Sequence, residues 1–163
     1  MVTRARDSDQ PQTTAKLGVF RPPLIYGAAI AIGLASQLMW PRPVLSGVWL
    51  GPLGGVLIVV SLVILAASVQ RFRAAGTPVP ARKPTTAIVR TGPYRFSRNP
   101  IYLAFSLLQL GIAVWLNSWW LVATLAAAIA LVHYVVIPRE EQYLEARFGA
   151  EYRDYKASVR RWL

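Results

Sequence analysis

Two short polar blocks hold the side chains of this chain that could do chemistry. Residues 92–102 read GPYRFSRNPIY, and residues 139–141 read REE. Arginine can grip a carboxylate or phosphate through two parallel hydrogen bonds, asparagine donates and accepts, and a carboxylate accepts from ribose hydroxyls or an ammonium group. Both blocks adjoin long apolar stretches, where unpaired polar groups cost free energy, so the pattern is typical of a ligand site at a membrane edge.

Structural roles compete with these functional ones. Glu140 and Glu141 at a helix start also complement the helix dipole, and Arg95 and Arg98 can anchor a helix end among lipid headgroups. His133, the single histidine, lies in an apolar segment and could be a neutral packing residue or a proton acceptor. Tyrosines either sit at the membrane interface or stack on a planar base. Those near the blocks are Tyr94, Tyr102, Tyr134, Tyr143 and Tyr155.

Four apolar stretches must position the blocks. Each is close to the roughly 20 residues with which a helix crosses a bilayer, and they cover residues 24–40, 48–69, 101–116 and 119–137. We therefore predict an all-α polytopic membrane protein with four transmembrane helices. Asn117 and Ser118 alone separate the last two helices, which predicts a tight hairpin with both polar blocks at its far end.

The remaining segments complete this organisation. Residues 1–21 are predicted to be a disordered arm and residues 22–163 a single domain. Within that domain we expect a loop over residues 71–99 and a tail, residues 138–163, of two short helices, the first opened by Pro138 and ended at Gly149. The oligomeric state is left open.

Charge predicts the orientation. The formal net charge is +11, and basic residues concentrate in the arm, the long loop and the tail, whereas the other two loops hold only Arg42. By the positive-inside rule, both termini and the long loop are expected to be cytoplasmic. We expect these charges to meet anionic membrane lipids and not nucleic acid.

Composition excludes several classes of site. The chain of 163 residues has no cysteine, which excludes disulfides and thiolate chemistry. One histidine and seven acidic residues make a metal site unexpected. No glycine-rich dinucleotide fingerprint follows a strand, and no serine–histidine–aspartate set is credible.

The two blocks also resemble a known family. Residues 92–95 with 98–102, and the tail from Glu140 and Glu141 to Arg160, are similar to motifs of the isoprenylcysteine carboxyl methyltransferase and phospholipid methyltransferase superfamily of integral membrane enzymes. The resemblance runs from the long loop to the C-terminus. Two departures are Asn99, where many members have histidine, and the ending Arg-Trp-Leu, where many have a proline.

The resemblance implies S-adenosyl-L-methionine as cofactor, enclosed by the last hairpin, the loop before it and the tail. The methyl acceptor would be a small lipophilic carboxylate, amine, hydroxyl or thiol from the bilayer. His133 would be the base for an amine, Arg160 would meet an anionic acceptor or hold the tail in place, and Asn99 completes the expected catalytic set. The implied cofactor contacts are Tyr94, Arg98, Asn99, Pro100, Tyr102, His133, Tyr134, Arg139, Glu140, Glu141 and Leu144.

Two other functions compete with methyl transfer. Sterol-reductase-like proteins share a similar polytopic ending with a polar tail, so an NADPH-dependent membrane reductase of a lipid is the main alternative. A lipid-binding or scaffold protein without enzymatic activity is the other. Stabilisation by S-adenosylmethionine alone is expected of a methyltransferase, and stabilisation by NADPH alone of a reductase. Stabilisation by neither is expected of a lipid-binding or scaffold protein.

Overall fold

The computed structural model describes residues 22–45, 47–76 and 87–163, and throughout these residues the regular structure is helical. The arm predicted at residues 1–21 lies outside them. The helices are α1 (Pro22–Met39), α2 (Leu50–Ala74), α3 (Pro100–Trp115), α4 (Trp119–Leu131), α5 (Ile137–Phe148) and α6 (Ala150–Ser158). A 3₁₀ turn, Gly92–Arg95, precedes α3, and a π-helical turn, Val132–Val136, joins α4 to α5. The predicted all-α class is confirmed.

Within the described part of the chain, three helical stretches are long and apolar enough to cross a membrane. They are Pro22–Met39, Leu50–Ala74 and the continuous stretch Trp119–Phe148, and the fourth apolar helix, α3, is shorter at 16 residues. Large apolar side chains of α2 such as Val56, Val59 and Val63 are exposed. A surface of this kind suits lipid and not water, so the molecule has the character of an integral membrane protein.

The tail has the two predicted helices, since α5 carries Pro138 in its first turn and ends at Gly149, and α6 follows. The difference from the prediction is that α5 continues from the fourth apolar stretch, so Trp119–Phe148 is one helical stretch. A proline inside an α-helix lacks an N–H donor and clashes with the carbonyl four residues earlier. The π turn ends at Val136, two positions before Pro138, and is closed by the bond from Ile137 N to Val132 O. This wider turn accommodates the proline, so the helix continues to Phe148.

Small residues set the helix pairing, in which α2 packs mainly on α3 and α1 on α4. A Cβ atom on Gly54 would lie 2.6 Å from the backbone nitrogen of Trp115, and one on Gly33 would lie 2.7 Å from a methyl of Leu121. The two helix pairs can approach this closely only because these positions lack side chains, as is common where helices pack in a membrane.

The α3–α4 hairpin is tied at the end of the bundle that we call the hairpin end, residues 40–45, 47–49 and 115–120. Asn117 turns the chain with φ of 49°, and its Oδ1 accepts from the backbone nitrogens of Val44 and Leu45 at 2.9 and 3.0 Å. Ser118 caps α4 by accepting from Leu121 N. Because this end is fixed, the opposite end, residues 87–102 and 138–163, collects both polar blocks; we call it the polar end.

Candidate functional site

The 3₁₀ turn before α3 is packed onto the last turn of α2. Gly92 has φ of 63°, and a Cβ atom there would lie 2.9 Å from Nε of Arg71, so a residue without a side chain is needed. Tyr94 is buried and meets Phe72 edge to face, with ring centroids 5.1 Å apart. The loop therefore presents Tyr94 from a rigid support.

Helix α6 closes over this turn. The Tyr155 hydroxyl donates to the carbonyl of Tyr94 at 2.8 Å, and Arg90 Nη2 donates to the carbonyl of Glu151 at 2.6 Å. Tyr152 and Tyr155 are buried, and burial raises the pKa of each to about 12. Both phenols therefore remain protonated at neutral pH and can act as hydrogen-bond donors.

Glu141 joins the two polar blocks. Its buried carboxylate accepts two hydrogen bonds from Arg161, Nε to Oε1 at 3.1 Å and Nη2 to Oε2 at 2.8 Å. Arg98 Nη1 lies 3.3 Å from the same Oε1. Two arginines thus neutralise one carboxylate, and both of its oxygens are engaged.

Glu140 faces a different partner. The Tyr102 hydroxyl donates to Glu140 Oε1 at 2.7 Å, and Tyr102 is buried on α3. Neighbouring helical residues point about 100° apart, so adjacent carboxylates need not share a partner. In the structure Glu141 pairs with the two arginines and Glu140 accepts a hydrogen bond from Tyr102. The sequence alone did not determine which glutamate has which partner.

Besides Arg98 Nη1, which has the ion-pair contact with Glu141, three buried donors at the polar end have no hydrogen-bond partner among the described residues. They are the hydroxyls of Tyr94 and Tyr143 and the Nε of Arg98. Burial, together with the nearby Tyr155 and Glu140, raises the pKa of Tyr94, which keeps its hydroxyl a donor. Buried polar groups are nearly always paired in native proteins, so these unpaired donors are candidate contacts for a bound molecule.

The last residues of the chain cross the start of α3. The backbone nitrogen of Arg98 donates to the carbonyl of Arg160 at 2.9 Å. Asn99 Nδ2 and Ser97 Oγ donate to the carbonyl of Arg161 at 3.0 and 3.3 Å. Residues 159–163, which we call the C-terminal segment, are therefore held against the first polar block by main-chain carbonyls.

The remaining residues that the sequence predicted for the site lie around this centre. Pro100 is fully buried in the first turn of α3, and Leu144 is half-buried on α5. Tyr134, Arg139 and Arg160 have exposed side chains. The predicted roles of these five residues stay predictions.

Sequence reasoning missed Arg161 and Trp162 as parts of the site. Arg161 pairs with Glu141, and Trp162 Nε1 donates to His133 Nδ1 at 3.0 Å. The ending Arg-Trp-Leu had been noted only as a departure from the resemblance. The signal available was its composition, since an arginine and a tryptophan at the end of a polar tail can pair with a carboxylate and with a ring.

Comparison with known proteins places these features in a family. The phospholipid methyltransferase family model matches residues 49–151. An uncharacterised protein of Haemophilus influenzae is 41% identical over 63 residues, 39% of this chain and 100% of that protein. The cobalt-zinc-cadmium resistance protein CzcN of Cupriavidus metallidurans is 31% identical over 151 residues, 93% of this chain and 64% of CzcN.

A third relative is matched over a shorter region. The nickel-cobalt-cadmium resistance protein NccN of Alcaligenes xylosoxydans xylosoxydans is 38% identical over 71 residues, 44% of this chain and 33% of NccN. The chain thus spans less than two thirds of the two metal-resistance relatives. No solved structure gives a significant match. Because the family match covers most of the chain, from α2 through α5, this protein belongs to the phospholipid methyltransferase family.

Proposed function

We propose that this protein transfers a methyl group from S-adenosylmethionine to a small lipophilic acceptor that enters from the bilayer. Membership of a methyltransferase family supports the reaction class. The observation that carries the proposal is the group of buried, unpartnered donors from Tyr94, Tyr143 and Arg98. They lie at the polar end of apolar helices, where a water-soluble cofactor and a membrane-dissolved acceptor can meet.

The side chains at the polar end fit the chemical groups of this cofactor. The methionine carboxylate is an acceptor for the unpaired Nε of Arg98, and arginine binds carboxylates in a planar, two-point geometry. The Glu140 carboxylate, of which one oxygen accepts from Tyr102, suits a ribose hydroxyl or the amino group. The hydroxyls and rings of Tyr94 and Tyr143 suit the adenine.

The chemistry supplied by the cofactor is a sulfonium methyl group, open to direct displacement by a nucleophile. The bond from carbon to sulfur breaks with its electron pair remaining on sulfur, and the acceptor forms the new bond to the methyl carbon. The positive charge on sulfur disappears in this step, so a carboxylate close to sulfur would favour the starting state. Glu140 and Glu141 therefore act away from the methyl group, and the protein's main contribution is alignment in a water-poor site.

The proposal extends to orientation and partners. Arg90, Arg95 and Arg98 lie at the polar end, and Arg71 and Arg73 lie in the adjoining last turn of α2, whereas Arg42 lies at the hairpin end. The positive-inside rule therefore favours a cytoplasmic polar end. The expected partners are the lipophilic acceptor and anionic membrane lipids, with no role for nucleic acid or a metal ion. The metal resistance in the names of CzcN and NccN is a property of those proteins. It gives no contact or residue on which a metal function of this chain could be argued.

Cofactor preference tests the proposal against its alternatives. Thermal unfolding of the purified full chain is compared with and without S-adenosylmethionine or NADPH. A ligand at about 100 times its Kd stabilises by about 2.7 kcal/mol, which is readily measured. Stabilisation by S-adenosylmethionine alone is expected. Stabilisation by NADPH alone contradicts methyl transfer in favour of a reductase, and no stabilisation by either favours a lipid-binding protein.

A labelling experiment tests the acceptor. Membranes containing the protein are incubated with methyl-labelled S-adenosylmethionine, and the lipids are then separated from the polypeptides. Label in a lipid fraction is expected from the native chain and from Arg42→Gln, which changes a charge at the hairpin end. The label in the lipid fraction is expected to be lost in Arg98→Gln. Label found only in polypeptide contradicts a small lipophilic acceptor.

A further inference from the structure

The single histidine of the chain is held by the second-last residue. His133 lies in the π turn, and its Nδ1 accepts from Trp162 Nε1 at 3.0 Å. The two rings stack, with centroids 6.3 Å apart and an interplanar angle of 19°. Trp162 also packs against the core cluster that contains Tyr26, Tyr102 and Val132. The imidazole is therefore fixed by a ring that is itself anchored in the bundle.

The chemistry of indole determines which nitrogen of His133 carries the proton. Indole Nε1–H is a donor and has no lone pair to accept with, so Nδ1 of His133 must be the unprotonated, accepting nitrogen. In a neutral imidazole the proton then lies on Nε2, because the hydrogen bond at one nitrogen sets the state of the other. Trp162 thus selects one of the two neutral forms of His133.

The π turn places His133 on nearly the same side of the helix as Glu141, which pairs with Arg161. His133 and Glu141 are eight positions apart, which on a regular α-helix leaves their side chains about 80° apart around the axis. A π turn uses about one extra residue, so eight positions across it behave as seven and leave about 20°. Consecutive residues of the C-terminal segment can therefore meet both, Arg161 at Glu141 and Trp162 at His133.

We propose that Trp162 is a positioning residue that holds neutral His133 as its Nε2–H form, so that His133 meets the methyl acceptor as a hydrogen-bond donor and not as a base. The role toward the acceptor rests on the proposed function. The choice of proton position depends only on the contact between Trp162 and His133.

The proposal has a chemical consequence for the acceptor. An amine or hydroxyl loses a proton when its nitrogen or oxygen becomes bonded to the methyl carbon. His133 in this form cannot take that proton, because Nε2 already carries one and the lone pair of Nδ1 is engaged by Trp162. A carboxylate acceptor has no proton to lose, and Nε2–H can donate to its second oxygen.

Because the chain has one histidine, the proton position can be read directly by NMR of the full chain with ¹⁵N-labelled imidazole in detergent micelles, at a pH where imidazole is neutral. The spectrum is expected to show Nδ1 unprotonated and Nε2 protonated. The indole N–H of Trp162 is expected to exchange with water about tenfold more slowly than that of exposed Trp49, a factor that matches about 1.4 kcal/mol, the scale of one hydrogen bond. A proton on Nδ1 in the native chain overturns the proposal without any variant.

Trp162→Phe keeps a stacking ring and removes the N–H donor, and Trp49→Phe is the matched control at the hairpin end. Both ¹⁵N signals of His133 are expected to move in the first variant, with an increase in the Nδ1–H form, and to stay unchanged in the second. Unchanged signals in Trp162→Phe overturn the proposal. Binding of S-adenosylmethionine to the same samples is measured separately, so a failure of the proposed function is distinguished from a failure of the histidine assignment.

Discussion

Glu141 and Arg161, which are separated by the whole of α6, form a two-point ion pair with hydrogen bonds of 2.8 and 3.1 Å. The carboxylate is buried, and Arg98 Nη1 lies 3.3 Å from its Oε1. Through this one side chain the start of α3, helix α5 and the C-terminal segment are joined. Glu141 therefore stabilises the polar end as a structural centre, whatever it contributes to a cofactor.

The first prediction concerns the stability of this centre. Glu141→Gln should lower the free energy of unfolding by about 2–4 kcal/mol, because it leaves two partly buried arginines without a counter-charge. Denaturant unfolding in detergent measures the change. Glu145→Gln is the control, since Glu145 pairs with Lys156 at 3.5 Å on the exposed surface and should cost less than about 1 kcal/mol. Equal losses of unfolding free energy in the two variants would show that the buried ion pair contributes no more to stability than the exposed one.

The second prediction separates Glu140 from its neighbour. Glu140→Gln should weaken binding of S-adenosylmethionine by about 1–3 kcal/mol, about 5- to 150-fold, because a charged acceptor becomes neutral. Its effect on unfolding should be smaller than that of Glu141→Gln, since the glutamine oxygen can still accept from Tyr102. Calorimetric titration and unfolding of both variants measure these effects. If Glu140→Gln binds the cofactor with native affinity, Glu140 is not a cofactor contact.

The third prediction uses the unpartnered hydroxyl of Tyr94. Tyr94→Phe removes a buried donor that has no partner among the described residues, so stability without cofactor should be unchanged or slightly higher. Affinity for S-adenosylmethionine should fall about 2- to 12-fold, the effect of losing about 0.5–1.5 kcal/mol of hydrogen bonding.

Tyr155→Phe is the matched comparison for the third prediction. Its hydroxyl donates to the carbonyl of Tyr94 at 2.8 Å, so its removal should reduce stability by about 1–3 kcal/mol. Melting and binding are recorded for both variants. A loss of stability in Tyr94→Phe comparable to that in Tyr155→Phe would mean that the Tyr94 hydroxyl already has a partner within the protein.

The fourth prediction concerns the packing of α2 on α3. A Cβ atom on Gly54 would lie 2.6 Å from a backbone atom of Trp115, so Gly54→Ala must separate the helices and should cost about 1–3 kcal/mol. Gly27→Ala on α1 is the control, because no atom lies within 4 Å of its added carbon. The control should be stabilised by up to about 1 kcal/mol through helix propensity. Equal stability of the two variants would contradict the close approach.

Much of the architecture could be predicted from the sequence because it depends on local composition. Apolar stretches of bilayer length predict the helices, and the short connection at Asn117 and Ser118 predicts the hairpin that gathers both polar blocks at one end. The contact of Arg98 with Glu141 at 3.3 Å agrees with that arrangement. The continuity of α4 with α5 could not be predicted in the same way, because Pro138 ordinarily interrupts a helix and is accommodated here by a π turn.

By itself the sequence determined the fold class, the collection of charge at one end and the resemblance to a methyltransferase family, since these follow from residue types and their order. Only the tertiary structure decided how the neighbouring Glu140 and Glu141 divide their partners and how Trp162 comes to bind His133. Rotation of a helix about its axis, and the path of a segment that turns back after α6, are set by packing between distant parts of the chain. The π turn, with its one extra residue, changes which side chains share a face of the helix, and this change cannot be recognised from the amino-acid sequence.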